Sequence, residues 1–393
     1  MATLNLGSRA IPVDAETLYA RARTFQPRIA ALAPHMEKAR QLDADLIASL
    51  DEAGLFSVMV PRRWGGAGLG IVEAAGILRI LAQADICTAW NASFYMLTGV
   101  LLSRFPMHVQ AQFFARKPSF LCAALMAPSG AAERVPGGYR LSGRWPYASG
   151  SHHAEGVLLP SMLEGEPWSF ILPRGDVGAD DDWDVSAMGA SGSVTLIANG
   201  AFVPEDWAMP SARLASPDGH HGLEHPEAVL HYPFVRLGVI STALAIGALE
   251  TAVAIGKERL ATSRPMGVPR IDRPAARMRW AEAAQTLRMT ALLHEAALQR
   301  TTAICERKSA WTTEEMGQYW LDNLSIFHSA KDALRVLVDT VGGSSIYKSA
   351  EPLQRMTRDI GMICTHLVIA DYDVLWERGS RLVLGMDLAP GEF

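Results

Sequence analysis

The stretch GRWPYASGSHHAEG, residues 143–156, gathers residue types that can hold a flat ligand with a polar edge. A strand is predicted to end at Trp145, and the rings of Trp145 and Tyr147 offer flat apolar surfaces. Small residues follow and place hydroxyls and free backbone N–H groups where the strand turns: Ala148, Ser149, Gly150 and Ser151. His152 and His153 then either line a substrate entrance or face solvent. The alternative is a strand end whose aromatic side chains fill the core.

His366 is a second candidate, in the stretch RMTRDIGMICTHLVIADYD, residues 355–373, which is predicted to be helical. Asp359 lies seven residues earlier, so both side chains share one helix face about 10 Å apart along the axis. Both could point into one cleft, where a neutral imidazole can act as a general base. The alternative is a histidine that is satisfied inside an apolar helix bundle.

Two further features are compatible with an anionic ligand. Gly342 and Gly343 lie in VDTVGGSSIY, a junction between two predicted helices that can present consecutive N–H groups to an anion. Arg264 follows another predicted helix and can pair with a phosphate. The alternatives are an ordinary turn between helices and a solvated surface arginine.

Other patterns are read as structure. The loop GGAGLG, residues 65–70, lacks the full GxGxxG spacing and has no βαβ unit around it, so it is interpreted as a turn and not as a nucleotide site. No dinucleotide fingerprint occurs elsewhere, which argues against a built-in NAD(P)H site. Histidines 220, 221, 225 and 231 have no supporting Cys or carboxylate pattern, so no metal is expected there.

The composition limits the possible partners and the cellular location. The chain has 393 residues, a net charge of −5 and no run of Lys and Arg, which disfavours nucleic acid and anionic membranes. We find no signal peptide and no apolar stretch of the ~18 residues that a membrane span needs. Four scattered cysteines are expected to be reduced thiols in a cytoplasmic protein.

The hydrophobic period changes twice along the chain and predicts three domains. Helical patterns occupy the first part, from Ala15 to about Ala53 and again at 70–84, 87–103 and 107–115. Strands and turns run from about residue 120 to 210, with Tyr139, Leu141 and Trp145 on one side of an alternating stretch and a hairpin-like pair around EGEP. Long helical patterns return from about residue 235. The pair Asn199-Gly200 is the strongest turn signal. The predicted domains are a helical one (1–119), a β-barrel-like one (120–225) and a four-helix bundle (226–393), with bundle helices at 273–307, 313–341 and 351–383 after the first.

Several stretches in this order resemble the acyl-CoA dehydrogenase superfamily from about residue 15 to 385. They are LDEAGLFSVMVPRRWGGAGLG, GGYRLSGRWPYASG, MGASGSVTLIANGAFVPED, KERLATSRPMG and VGGSSIYKSAEPLQRMTRDI. The resemblance implies a mainly α fold with a β-barrel-like middle domain and a C-terminal four-helix bundle. It also implies a flavin between the middle domain and the bundle, and a homotetramer or homodimer.

The dehydrogenases of this superfamily need a carboxylate base, which many carry shortly after an Arg-Asp pair. Here that position reads Cys364-Thr365-His366-Leu367 and offers no Glu. The chain is more similar to the two-component flavin monooxygenases, in which W-x-x-x-S-G matches Trp145 to Gly150 and an Arg-Asp pair precedes a His. Their reduced flavin, FMNH2 or FADH2, comes from a separate NAD(P)H-flavin reductase and reacts with O2 to a C4a-hydroperoxide.

The resemblance assigns roles to individual residues. Ser149 would lie near the flavin N5, and His366 would act as base on the substrate. The flavin would be held by Trp145, Tyr147, Ala148, Ser149, Gly150, Arg264, Gly342 and Gly343. The substrate would meet Trp90, Tyr95, His152 and His153. The resemblance implies a phenolic or polycyclic aromatic small molecule as the substrate. It also implies that the enzyme belongs to secondary metabolism. N-oxygenation of an amine or amino sugar, an acyl-CoA-type dehydrogenase and a flavin-binding protein without catalysis remain alternatives.

Overall fold

The structure is a computed structural model that describes residues 13–215, 233–307, 311–346, 352–366 and 371–388. Helices form the N-terminal part of the chain. Asp14, Asp43 and Asp85 cap three of them, each accepting the backbone N–H three residues later. The helices are α1 (Ala15–Ala39), α2 (Ala44–Glu52), α3 (Ile71–Ala82), α4 (Ile86–Leu102) and α5 (Met107–Phe113).

The predicted helical pattern between Ala15 and Ala53 divides into α1 and α2, because Arg40 takes a left-handed conformation that ends α1. The predicted helices at 70–84, 87–103 and 107–115 are confirmed as α3, α4 and α5. The GGAGLG loop leads into α3 as predicted. A Cβ at Gly66 would lie 2.2 Å from the Val60 carbonyl oxygen, so close backbone packing explains a glycine there.

Within the described residues, eight strands form one sheet in the middle of the chain. They are β1 (Cys122–Ala124), β2 (Gly130–Val135), β3 (Gly138–Trp145), β4 (Gly156–Leu163), β5 (Glu166–Pro173), β6 (Gly178–Asp180), β7 (Thr195–Pro204) and β8 (Ala208–Pro210). Their order is β6-β7-β3-β2-β4-β5-β8, with β1 beside β4. The pairs β1–β4 and β2–β4 are parallel, and the other pairs are antiparallel. The predicted hairpin around EGEP is confirmed as β4–β5.

Alternation along β3 gives the sheet its own core. Tyr139, Leu141 and Trp145 are all buried on one face, as their spacing predicts, and they belong to one core with Leu159 of β4 and Phe170 of β5. This core ends at Trp145, so the chain leaves the sheet at the start of the small-residue stretch 148–151.

The prediction of a turn at Asn199-Gly200 is wrong. Strand β7 runs straight through both residues, and the pairing with β3 shifts register there, with Ser142 opposite Asn199 and Leu141 opposite Ala201. Gly200 is the extra residue and has a φ of 72°. A glycine with positive φ suits a β-bulge as well as a hairpin turn, so the dipeptide alone does not tell one from the other.

Long helices form the C-terminal part. They are α7 (Pro233–Thr262), α8 (Pro274–Glu306) and α9 (Thr313–Val341), preceded by the short α6 (Ser211–Ala215). The predicted helix 351–383 is interrupted. It consists of α10 (Pro352–Ile363), a π-helical turn at Tyr372–Trp376 and α11 (Glu377–Val383). His366 therefore lies beyond the end of α10 and not on a continuous helix with Asp359, so the shared helix face predicted for the two residues is wrong.

Helix α7 corrects the expectation about apolar stretches. Its segment Leu237–Thr262 is long and apolar enough to cross a membrane, but 72% of its most apolar window is buried inside the molecule. It packs against α3, α4, α8 and α9. Burial against other helices is typical of the core helix of a soluble protein.

Helix α4 is the central element of the fold, and every one of its residues is buried. It contacts α3, α7, α10, β1 and the short 3-10 turn Gly189–Ser191. Because α4 touches both the sheet and the C-terminal helices, its side chains can join residues from the two parts of the chain.

Candidate active site

The turn after β3 is tightly bonded to itself and to its neighbours. The N–H of Ser149 donates to the Tyr147 carbonyl at 2.9 Å, and the N–H of Ser151 donates to the Ala148 carbonyl at 3.2 Å. The N–H of Ala148 donates to Val194 at 3.0 Å. The backbone N–H groups predicted to be free for a ligand are therefore occupied. The side chains of the turn are what remains for binding.

Tyr95 explains why Gly150 is a glycine. Its hydroxyl donates to the Gly150 carbonyl at 2.6 Å, and a Cβ at Gly150, where φ is 77°, would lie 2.8 Å from that hydroxyl. Tyr95 is buried and packs edge-on against Phe56, and burial raises the pKa of its phenol. It therefore supports the turn from below. The predicted substrate contact of Tyr95 stays a prediction that its burial does not support.

Trp90 joins α4 to this turn. Its indole N–H donates to the Ser149 hydroxyl at 3.1 Å. The Ser149 hydroxyl is 2.8 Å from that of Ser193, which is 2.8 Å from that of Ser191. These four residues form a continuous hydrogen-bonded chain, named here the serine chain. Since hydroxyls both donate and accept, the chain can reorient its protons without moving its oxygens.

Ser191 and Ser193 are not among the residues predicted for the site. They lie in a tight loop before β7 that contains the 3-10 turn Gly189–Ser191, and Asn91 of α4 donates to the Ser191 carbonyl at 3.2 Å. The available signal was the small-residue run 189–193, which contains two serines among glycines.

His366 packs against the same indole. Its ring is 5.6 Å from that of Trp90 in an edge-on arrangement, and Phe94 packs edge-on at 5.1 Å. Burial lowers the pKa of His366 to about 4. The imidazole is therefore neutral at neutral pH and can accept a proton.

The residues between the end of β3 and Ser149 differ in how much of their side chains is exposed. Trp145 is fully buried in the sheet core, and its indole N–H donates to the Pro160 carbonyl at 2.7 Å. Ala148 is also fully buried. Neither side chain has exposed surface, so the predicted flavin contacts of Trp145 and Ala148 stay predictions that their burial does not support. Tyr147 is 73% exposed, with its ring edge-on to Trp183 at 6.2 Å.

The two histidines after the turn have different environments. The ring of His153 makes a 3.0 Å hydrogen bond to the Leu42 carbonyl, so it links the sheet to the segment between α1 and α2. His152 is exposed, with its ring against Gly192. Burial is the main cause of a lowered pKa in both.

Arg264 and Gly342 lie at one end of the helical part. Arg264 is exposed in the connection between α7 and α8, and Arg270 of the same connection donates to the Thr340 carbonyl at the end of α9. The Arg270 guanidinium also lies against Gly342, whose φ is 82°. Sequence reasoning did not single out Arg270. Gly343 is exposed, with no atom within 4 Å of a Cβ position.

Comparison with known proteins identifies the family. Two family models match, described as acyl-CoA dehydrogenase N-terminal domain (residues 14–114) and C-terminal domain (residues 238–371). The chain belongs to the acyl-CoA dehydrogenase superfamily. Its curated relatives in this superfamily are flavin-dependent oxygenases, which confirms the predicted flavin monooxygenase branch.

Two of these relatives match over nearly the whole chain. A pigment production hydroxylase of a Rhodococcus species is 29% identical over 379 residues, covering 94% of this chain and 96% of that protein. The FADH2-dependent resorcinol hydroxylase oxygenase component of a Rhizobium species is 28% identical over 376 residues, covering 89% and 90%. XiaF of a Streptomyces species, solved with FADH2 and glycerol, superposes with a TM-score of 0.89 at 22% identity, covering 96% and 97%. The predicted acyl-CoA dehydrogenase fold is confirmed.

The described residues fit a flavin of this family at the Ser149 turn. The exposed ring of Tyr147 offers a flat face two residues before Ser149, and the left-handed backbone of Tyr147 (φ 66°) leaves this ring outside the sheet core. Arg264 and the open position at Gly343 offer a cation and an uncovered backbone.

The described residues contain no group of three or more metal-ligating side chains, and the histidines at 220, 221, 225 and 231 lie outside them.

Proposed function

We propose that this chain is the oxygenase component of a two-component system and hydroxylates a phenolic or polycyclic aromatic small molecule. The observation that carries the proposal is the position of Trp90 between Ser149 and His366. A hydroxyl donor and a neutral base thus border one aromatic wall. The names of the relatives, a pigment production hydroxylase and a resorcinol hydroxylase, support an aromatic substrate.

His366 would remove the phenol proton. A phenolate is much more nucleophilic than a phenol, so an imidazole nitrogen that accepts this proton speeds attack by the ring carbon. Burial keeps the imidazole neutral, and because it also disfavours the imidazolium, the phenolate formed beside His366 would have to stabilise that charge. The reduced flavin with O2 supplies the electrophilic oxygen atom when bound. Ser149 would orient the polar edge of the flavin through its hydroxyl.

Trp90 and Phe94 would keep water away from the reaction. Both are buried in α4, and Trp90 packs edge-on against both Phe94 and His366, which leaves an apolar wall. A dry wall protects a reactive oxygen donor from hydrolysis and strengthens hydrogen bonds inside the site. His152, exposed above the serine chain, is placed at the substrate entrance in this proposal.

Tyr147 and Ser149 would hold the flavin ring, and Arg264, Gly342 and Gly343 would hold its phosphate-bearing end. Gly150, whose N–H and carbonyl are both bonded within the protein, would shape the turn and not bind the flavin. The cation at Arg264 and the open backbone at Gly343 support this second part. FADH2 has two phosphates and FMNH2 has one. Measuring the affinity of Arg264→Ala for both cofactors therefore tests whether Arg264 pairs with the flavin phosphates. Loss of this cation should weaken the binding of FADH2 more than that of FMNH2.

A separate NAD(P)H-flavin reductase is proposed as a partner, because the sequence has no dinucleotide fingerprint. The four cysteines are free and buried, which supports a cytoplasmic location. We also propose a homotetramer, or a homodimer, from the family resemblance. The change from α5 to β1 supports the proposed domain boundary near residue 119, and the proposed boundary near residue 225 lies outside the described residues, between α6 and α7.

The test combines stopped-flow absorbance with product analysis. The protein, loaded anaerobically with reduced FMN or FAD, is mixed with oxygenated buffer containing resorcinol, other phenols or indoles. We expect an absorbance intermediate that lasts seconds or longer between reduced and oxidised flavin, followed by hydroxylated product. Immediate return to oxidised flavin with no product from any aromatic would contradict the proposal. Product from amines alone would indicate N-oxygenation, and acyl-CoA oxidation would indicate a dehydrogenase.

His366→Ala tests the base. We expect flavin binding within twofold of the wild type and hydroxylation lower by about 10²–10⁴, the usual contribution of a general base. His35→Ala, an exposed histidine of α1, is the matched control and should retain full activity. Unchanged product formation by His366→Ala would remove the assignment.

A further inference from the structure

The adjacent residues Arg358 and Asp359 of α10 both bind the loop that precedes the serine chain. The Asp359 Oδ1 accepts the Met188 N–H at 2.6 Å. Arg358 donates from Nη1 to the Ser186 carbonyl and from Nη2 to the Glu37 carboxylate of α1 at 2.6 Å. Three bonds from two consecutive residues thus hold α10, α1 and the loop together.

The bound segment determines where the serines lie. Met188 has a left-handed backbone (φ 57°), uncommon for a residue with a side chain, and its carbonyl accepts the Ser191 N–H at 3.0 Å. The Ser191 hydroxyl then bonds Ser193, and Ser193 bonds Ser149. A shift of Met188 would therefore be passed to the serine chain within five residues.

The same helix fixes His366. Helix α10 ends at Ile363, and the His366 N–H donates to the Ile363 carbonyl at 2.9 Å. The loop with the serines is attached seven residues before His366, through Asp359. Since α10 carries Asp359 and the turn after its last residue, Ile363, holds the His366 backbone, α10 links the position of the loop to that of the histidine.

The cost of burying Asp359 argues against a role in stability alone. Its carboxyl is buried, and its Oδ2 has no hydrogen-bond partner among the described residues. Arg355 is the nearby cation, but it pairs with Asp85 at 3.5 Å. A buried carboxyl with half of its acceptors unused costs free energy that an apolar side chain would not. The single bond to Met188 is what this carboxyl contributes.

We propose that Arg358 and Asp359 are positioning residues that hold loop 186–193 in the register required by the serine chain, at a fixed distance from His366. The proposal rests on the proposed function for its catalytic consequence. The structural part, that these two side chains order the loop, stands without it.

Hydrogen–deuterium exchange on the protein without flavin tests the structural part. In Asp359→Ala and in Arg358→Ala, we expect amides of 186–193 to exchange at least tenfold faster, with strand 138–145 unchanged. Asp359→Asn keeps an oxygen acceptor for Met188, so exchange within twofold of the wild type is expected. Leu353→Ala removes a buried side chain from the same helix and is the control for lost stability. It should leave the loop unchanged.

Unaltered exchange in Arg358→Ala would overturn the proposal, and so would equal acceleration of the loop in Leu353→Ala. Arg358 is partly exposed, so its alanine variant is expected to fold even if Asp359→Ala does not.

Turnover tests the catalytic part. We expect product per reduced flavin consumed to fall at least fivefold in Asp359→Ala and Arg358→Ala, with the remainder appearing as hydrogen peroxide. Asp359→Asn and Leu353→Ala should stay within twofold of the wild type. Normal yields in both alanine variants would refute the positioning role. A wild type that forms no hydroxylated product would instead count against the proposed function and leave the exchange result standing.

Discussion

The indole N–H of Trp90 donates to the Ser149 hydroxyl across 3.1 Å, although the two residues are 59 positions apart in the chain. One belongs to a buried helix and the other to a turn at the end of a strand. The bond ties the helical part of the fold to the sheet at the point where His366 also arrives. A single side chain therefore borders both groups that the proposed reaction uses.

Trp90→Phe tests this bond. Phenylalanine keeps the edge-on packing on Phe94 but loses the N–H, which is worth about 1 kcal/mol, or about fivefold in a rate or equilibrium. We expect product per reduced flavin to fall about fivefold, with Tm lower by less than about 4 °C. Trp280→Phe is the control, because Trp280 likewise donates its indole N–H to another residue, in this case to the Val253 carbonyl in the bundle. Equal losses in both variants would show that the Ser149 bond is not special.

Trp145 and Tyr147 are two positions apart and should respond in opposite ways. Trp145→Ala removes a fully buried indole, so the free energy of unfolding should fall by about 3–5 kcal/mol in urea denaturation. Tyr147→Ala removes an exposed ring, and we expect a change within about 0.5 kcal/mol. In anaerobic titration, Tyr147→Ala should bind reduced flavin about five- to tenfold more weakly, as lost ring stacking predicts. Wild-type affinity in this variant would exclude Tyr147 as a flavin contact.

The lowered pKa of His366, about 4, predicts how the reaction depends on pH. At pH 5.5 such an imidazole is still about 97% neutral, whereas one at the usual 6.5 would be about 9% neutral. We therefore expect single-turnover hydroxylation rates at pH 5.5 and 7.5 to agree within about twofold. A roughly tenfold fall at pH 5.5 that disappears in His366→Asn would show that the histidine titrates near its ordinary pKa.

The raised pKa of Asp359 predicts that the protein becomes less stable as the pH rises. Burial and the nearby Asp85 raise its pKa to about 7, against the Met188 amide and the cations Arg355 and Arg358. The Cys87 thiol also faces this carboxyl. Because the folded pKa exceeds the unfolded value of about 3.9, the folded state binds more protons between these limits, and its stability falls as pH rises from 4 to 7.

Asp359→Asn removes this titration. Its free energy of unfolding relative to the wild type should therefore increase between pH 4 and pH 7 by up to a few kcal/mol. The difference between the two proteins is the useful quantity, because His294 and His366, with pKa values lowered to about 4, lose stability as pH falls from 6.5 in both. A difference that stays constant with pH would mean that Asp359 is ionised throughout this range.

The sequence determines the order of the elements because hydrophobic period is a local property. The 3.6-residue spacing predicts α3, α4, α5, α8 and α9 close to their observed bounds, and the alternation around Tyr139, Leu141 and Trp145 predicts the buried face of β3. The family resemblance predicts that Ser149 and His366 act in one site. In the structure both contact Trp90, Ser149 through its hydroxyl and His366 through its ring.

Tertiary structure decided what local signals leave open. Asn199-Gly200 becomes a bulge because β3 pairs with both halves of β7, and no local rule contains that partner. Trp145 and Tyr147 carry similar rings, yet one fills the sheet core and the other faces outward, since the strand ends between them. Ser191, Ser193 and Asp359 enter the site only when the loop 186–193 meets α4 and α10. Residue type and spacing indicate which groups can do chemistry. Which of these groups meet is decided by hydrogen bonds between distant segments, which form as the core buries its apolar surface.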